Sequence, residues 1–191
     1  MHVRSALISL AVILTIPSFA HANGEIIGMV ESGKGRVANA VVSLDGVTGN
    51  FPGGTAEMDQ KDKEFVPSVL PIVRGTSVKF VNSDPFFHNV FSASRMKAFN
   101  VSQEKAGDAS AVTFDKLGIV PIRCHIHASM KAFIVVLPNP YFAVTNSNGL
   151  FRISNVPAGT YTIKVWSEHG TPQTQTVEVP ATGQAKVIFK S

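Results

Sequence analysis

Cys124-His125-Ile126-His127-Ala128-Ser129-Met130 sets the chain's one cysteine, a histidine and a methionine at successive steps of three. A thiolate, an imidazole and a thioether are the donors a copper electron-transfer site draws from a single loop. Such a site needs a second imidazole. Asp84-Pro85-Phe86-Phe87-His88-Asn89-Val90 offers His88. His88, Cys124 and His127 with a weak axial Met130 make the donor set of a blue-copper centre. Alone, Cys124 would read as a small core residue and Met130 as gap filler. Their coincidence with His127 at this spacing outweighs those readings. His125 differs. In an extended segment its side chain points away from the side His127 uses, so it is expected not to bind metal.

The flanks say what must position these donors. On a helix, Cys124 and His127 would share a face, but Met130 would have drifted off it. Gly118-Ile119-Val120-Pro121-Ile122-Arg123 and Lys131-Ala132-Phe133-Ile134-Val135-Val136-Leu137 are rich in β-branched residues and read as strands. The motif is therefore a tight connection between two strands. Its three donors curl around one point, and His88 reaches in from a neighbouring strand.

Further upstream run Phe65-Val66-Pro67, Leu70, Gly75-Thr76-Ser77-Val78-Lys79-Phe80, Asn82-Ser83-Asp84 and His88-Asn89-Val90. Followed by Cys124-x-x-His127-x-x-Met130, this resembles a cupredoxin, and the short ligand loop resembles that of the amicyanins. The resemblance covers residues 57–138. It implies a Greek-key β-sandwich with one copper, cycling between Cu(I) and Cu(II), on His88, Cys124, His127 and Met130. It also implies that Asn89 ties the two ligand loops together near the thiolate. The loop departs from the pattern at His125, where many cupredoxins carry a small or hydroxyl residue, and at His127-Ala128-Ser129, where the amicyanin loop has a proline.

A second pattern follows the first. Phe142 to Ile153 reads as strand, turn, strand, with Asn148-Gly149 at the turn. Asn155-Val156-Pro157-Ala158-Gly159 is a loop, and Thr160–Trp166, Thr174–Val179 and Ala185–Phe189 alternate as strands. Gly-x-Phe followed by Val-Pro-Ala-Gly-Thr-Tyr resembles the carboxypeptidase regulatory-like (transthyretin-like) β-sandwich. That module opens with Gly-x-Val and Ala-x-Val strands. Here they stand at the other end of the chain, in Ile27-Gly28-Met29-Val30 and Val37 to Leu44. The expected fold is all-β. The cupredoxin, 57–138, is inserted in a second small sandwich built from 23–50 and 141–191. Gly49 to Thr55 and Pro138-Asn139-Pro140 mark the joints. Tandem order is the alternative. Trp166, the sole tryptophan, is expected to be a core or interdomain anchor.

Compartment is read from the first residues. Arg4, the apolar run Ala6–Ile16 and the Ala20-His21-Ala22 ending form a secretory signal peptide over 1–22. The run is too short to span a bilayer, which takes about 20 residues. The mature chain is expected in the periplasm, without membrane insertion. A single cysteine cannot form an internal disulfide, and metal ligation would occupy an otherwise vulnerable thiol. Loss of Arg4 leaves 16 basic against 13 acidic residues, a net +3. The basic residues are scattered, with no pattern for nucleic acid.

No Ser/His/Asp order, paired carboxylates or phosphate-binding loop occurs, so the chain is not expected to be an enzyme. An electron carrier comes first among the functions, with a c-type cytochrome or a dehydrogenase of the periplasm as partner. Copper storage or delivery, and a binding module with structural or no copper, are the alternatives.

Overall fold

The computed structural model describes residues 23–103 and 106–190, and the expected leader, residues 1–22, lies outside them. Every regular element among the described residues is a β-strand, so the chain is all-β. The first are β1 (Asn23–Ser32), β2 (Gly35–Arg36) and β3 (Val41–Asp45). The middle of the chain forms β4 (Thr55–Lys61), β5 (Glu64–Val66), β6 (Val69–Val73), β7 (Thr76–Asn82), β8 (His88–Ala93), β9 (Ala98–Gln103), β10 (Ala109–Phe114), β11 (Gly118–Arg123) and β12 (Lys131–Leu137). The last are β13 (Phe142–Val144), β14 (Leu150–Pro157), β15 (Gly159–Trp166), β16 (Gln173–Val179) and β17 (Gln184–Lys190).

Pairing sorts these strands into two bodies. In the first, β14-β1-β17 and β13-β3-β15-β16 form two sheets, with β2 beside β1. Residues from both ends of the chain share their core: Ile26, Val30, Val42 and Leu44 pack with Phe151, Ile163, Val187 and Phe189. The alternation of β17 is the reason. Ala185, Val187 and Phe189 face inward while Lys186, Ile188 and Lys190 face out. Gly28 is required in β1: a Cβ there would lie 2.1 Å from the Val187 carbonyl oxygen and 2.6 Å from the Phe151 ring. The Asn-Gly turn is present, with Gly149 at φ 70° and the Asn146 side-chain oxygen accepting from the Asn148 and Leu150 amides. It does not close a hairpin. β13 pairs with β3 and β14 with β1, so the turn carries the chain from one sheet to the other.

In the second body, β10-β7-β4-β5 faces β6-β12-β11-β8-β9. Its core includes Met58, Phe80, Phe114, Ile122 and Ile134, and reaches Cys124 and Met130. Its first strand begins at Thr55. β12 is buried on both faces, which explains its unbroken apolar run. Ala132, Ile134 and Val136 point into this core. Val135 packs on the other face with Val41 and Val69, beside Phe133, Leu137, Val144 and Trp166. That small cluster joins the two bodies.

We propose from this pairing that 23–50 and 141–191 are one domain interrupted by the second body. Loop closure supports it: replacing a ten-residue loop by one of about 90 costs only about 2 kcal/mol, less when the insert folds. A fragment of residues 53–138 should then fold alone and bind copper, and 23–50 joined to 141–191 should fold without copper. An unfolded 53–138 beside a cooperative 23–140 would favour tandem order. In the intact chain, Leu44→Ala and Ile134→Ala each remove a fully buried side chain. Each should cost about 2–5 kcal/mol in denaturant unfolding.

Candidate metal centre

The seven residues from Cys124 to Met130 join β11 to β12, two antiparallel neighbours whose ladder ends at the Arg123–Lys131 pair. β11 alternates, so Val120 and Ile122 point into the core and Cys124, next in step, follows them, 5 % exposed. A tight turn then reverses the chain, with the Met130 amide donating to the His127 carbonyl at 3.0 Å. Met130 returns to the same apolar cluster, 1 % exposed. His88 opens β8, which lies beside β11, and is buried.

One ligand atom each from His88, Cys124 and His127 lies within 4.8 Å of the others. His88 and Cys124 are buried and His127 is partly exposed. The Nδ1 atoms of His88 and His127 stand 3.1 Å apart. Two imidazole nitrogens sharing one tetrahedral ion at about 2.0–2.1 Å would stand roughly 3.3 Å apart. The pocket therefore has the size and the N₂S donors for a single transition-metal ion, and thiolate with imidazole suits copper.

Asp84 sets the orientation of His88, and the sequence reading assigned it no such role. Its carboxylate accepts from the amides of Asp62 at 2.8 Å and Lys63 at 3.0 Å, and lies 2.7 Å from His88 Nε2. A carboxylate only accepts, so His88 Nε2 carries the proton and Nδ1 turns its lone pair toward Cys124 and His127. Burial pushes the Asp84 carboxyl up, but the hydrogen bonds from Lys63, His88 and Asp62 outweigh it and hold the group below its ordinary value. Asp62 and Lys63 both have positive φ, 55° and 61°, which aims both amides at Asp84. The signal available in the sequence was a carboxylate four residues before a candidate ligand.

Asn89 ties the two ligand-bearing segments together. Its Oδ1 accepts from the His125 amide at 2.7 Å, and its Nδ2 donates to Asn100 Oδ1 at 2.7 Å. His125 itself turns outward and stacks on Phe91, ring centroids 3.7 Å apart and planes within 5°. It is exposed and stands outside the donor cluster. Phe86 covers the histidine pair, edge-on to His88 at 5.3 Å and 5.8 Å from His127. Phe87 and Ile126 are 62 % and 54 % exposed.

Among known proteins, residues 130–190 match the family model of the carboxypeptidase regulatory-like domain. The match starts inside the ligand loop and takes in β12. No curated protein matches the chain. Among solved structures, a novel purple cupredoxin from Nitrosopumilus maritimus is similar at 23 % identity and a TM-score of 0.39, over 43 % of this chain and 99 % of that one. An amicyanin variant is similar at 20 % identity and 0.41, over 50 % and 98 %. A copper-containing nitrite reductase from Thermus scotoductus is similar at 27 % identity and 0.38, over 49 % of this chain and 24 % of that one.

Replacement of Asp84 tests the orientation of His88. In Asp84→Asn an amide N–H must face one of three N–H donors, and metal affinity should fall about 10–100-fold by competitive titration. His125→Ala should leave affinity within a few-fold, while His127→Ala should lose the site. Equal damage from both would make His125 a ligand. The Asp84 carboxyl titrates lower folded than unfolded, so its contribution is complete above the unfolded value of about 3.9 and drains away as pH falls through the lower folded value. Metal-free protein should lose denaturant resistance below about pH 4, and Asp84→Asn should lose less.

Proposed function

We propose that the protein is an exported type 1 copper protein, with one copper per chain, that carries single electrons between periplasmic redox partners. The carrying observation is the convergence of His88, Cys124 and His127 within 4.8 Å in a mostly buried pocket. Copper bound there would supply a one-electron couple between Cu(I) and Cu(II).

The chain's residues support that use. Asp84 and Asn89 fix the two ligand segments without help from a metal. Ligands held in advance need little rearrangement between oxidation states, which favours fast exchange over binding and release. Cys124 and Met130 are buried in apolar surroundings that keep water from both sulfurs. His127 is the partly exposed member, with Phe86 against its ring, and Phe87 and Ile126, next in sequence to His88 and His127, add an exposed apolar rim. A rim of this kind suits brief docking by a partner such as a c-type cytochrome or a dehydrogenase. The leader expected over 1–22 supports the periplasm. The reading involves no catalysis by this chain.

The test is the visible and paramagnetic spectrum of the purified protein with Cu(II). An intense thiolate charge-transfer band is expected, and Cys124→Ser should abolish it. Met130→Leu should keep the colour and raise the potential, since a weaker axial donor stabilises Cu(II) less. A colourless copper complex, a potential that falls, or ready loss of copper to a chelator would favour storage or delivery instead.

A further inference from the structure

The second sandwich reaches the base of the ligand loop, directly at the β12 stem and through Phe133 at the β11 stem. The loop leaves the sheet after Arg123 and rejoins it at Lys131, which are paired across the β11–β12 ladder. Lys131 Nζ lies 2.6 Å from Oε1 of Glu168, two residues after β15. Phe133, two residues further along β12, takes Trp166 of β15 edge-on, ring centroids 5.2 Å apart. The Arg123 guanidinium stands over the same Phe133 ring, 6.0 Å from its centroid. Arg123 is partly buried, and its Nη1 is buried without a hydrogen-bond partner among the described residues. A partly buried guanidinium whose inner nitrogen meets a ring rather than an anion depends on that ring staying in place. Trp166 thus fixes Phe133, and Phe133 fixes the residue before Cys124.

Beside these contacts the loop is open. Ser129, Met130, Lys131, Ser167, Glu168 and His169 are among the residues that line a cleft of about 810 Å³. The Lys131–Glu168 pair lies within that lining. Both partners are partly exposed, so this pair alone is weak. The ring contact is backed by Val41, Val69 and Val135, which are buried where the two bodies meet, and it carries most of the constraint.

We infer that Trp166 and Glu168 are positioning residues for the metal loop, so that the second sandwich sets the spacing between Cys124 and Met130. This rests on the blue-copper reading. It gives the second body a role in the same site: it would set how closely the Met130 thioether could approach a bound copper, and a copper–thioether contact would tune the potential.

The experiment uses the full chain with Trp166→Leu, Trp166→Phe and Glu168→Gln, and Lys164→Gln as a control. Lys164 lies on the same strand but pairs with Asp45 inside its own sandwich. Copper-loaded Trp166→Leu should change the ratio of Cu(II) to Cu(I) affinity about tenfold, about 59 mV for one electron. In metal-free protein, Cys124 should react with a thiol reagent about tenfold faster. Trp166→Phe should restore most of both, Glu168→Gln should give a smaller shift of the same sign, and Lys164→Gln should change neither. Wild-type potential, spectrum and labelling rate in a folded Trp166→Leu or in Glu168→Gln would overturn the inference. If Trp166→Leu does not fold, an unshifted Glu168→Gln with an unshifted Lys131→Gln overturns it. A colourless wild type would defeat the blue-copper reading instead, and the labelling rates would still decide whether the clamp exists.

Discussion

The Asp84 carboxylate is the constraint around which the metal pocket is arranged. It is buried, and it is kept ionised by N–H groups from Asp62, Lys63 and His88. A buried carboxylate without partners would be costly. With them it does two things at once. It holds the β4–β5 turn against the β7–β8 loop, and it fixes the protonated nitrogen of His88. The Asp84 amide in turn donates to Asn82 Oδ1 at 3.0 Å, while Asn82 Nδ2 donates to the Phe86 carbonyl at 2.9 Å. The loop that presents His88 and its Phe86 cover is therefore rigid before any ion arrives.

A second constraint is the double-sided burial of β12. One face completes the core that contains Cys124 and Met130, and the other makes the join to the second sandwich. In a strand with both faces committed, a one-residue slip would exchange two differently shaped apolar sets, so the fit of each set to its own core holds the register. The ligand loop ends on such a strand. Its own residues are free to differ, at His125 and Ala128 for instance, because the sheet rather than the loop carries the packing.

Much of this was legible in the sequence. Gly118–Arg123 and Lys131–Leu137 coincide with β11 and β12, since β-branched runs bounded by a chemically unusual loop leave few other arrangements. The outward turn of His125 followed from strand alternation alone. The function of Asp84 did not emerge. It depends on a turn at Asp62-Lys63, where both residues take positive φ without the glycine or asparagine that would have announced it. The path of the chain after Val144 was also hidden. An Asn-Gly turn fixes local geometry, but which sheet each arm joins is decided by β1 and β3, more than 100 residues earlier in the sequence. The meeting of Arg123, Phe133 and Trp166 is likewise a matter of tertiary packing.

The 5 % exposure of Cys124 bears on the history of a newly made chain. Oxidants and small disulfides attack thiols that solvent can reach. Once folded, the metal-free protein shelters its sulfur beneath apolar side chains, so it can wait for an ion without being spoiled. The unfolded chain has no such shelter. In the exported chain proposed above, the hazardous interval would be the time taken to fold, and not the time spent searching for metal. Selection for a durable product would act on folding speed, at positions far from any ligand.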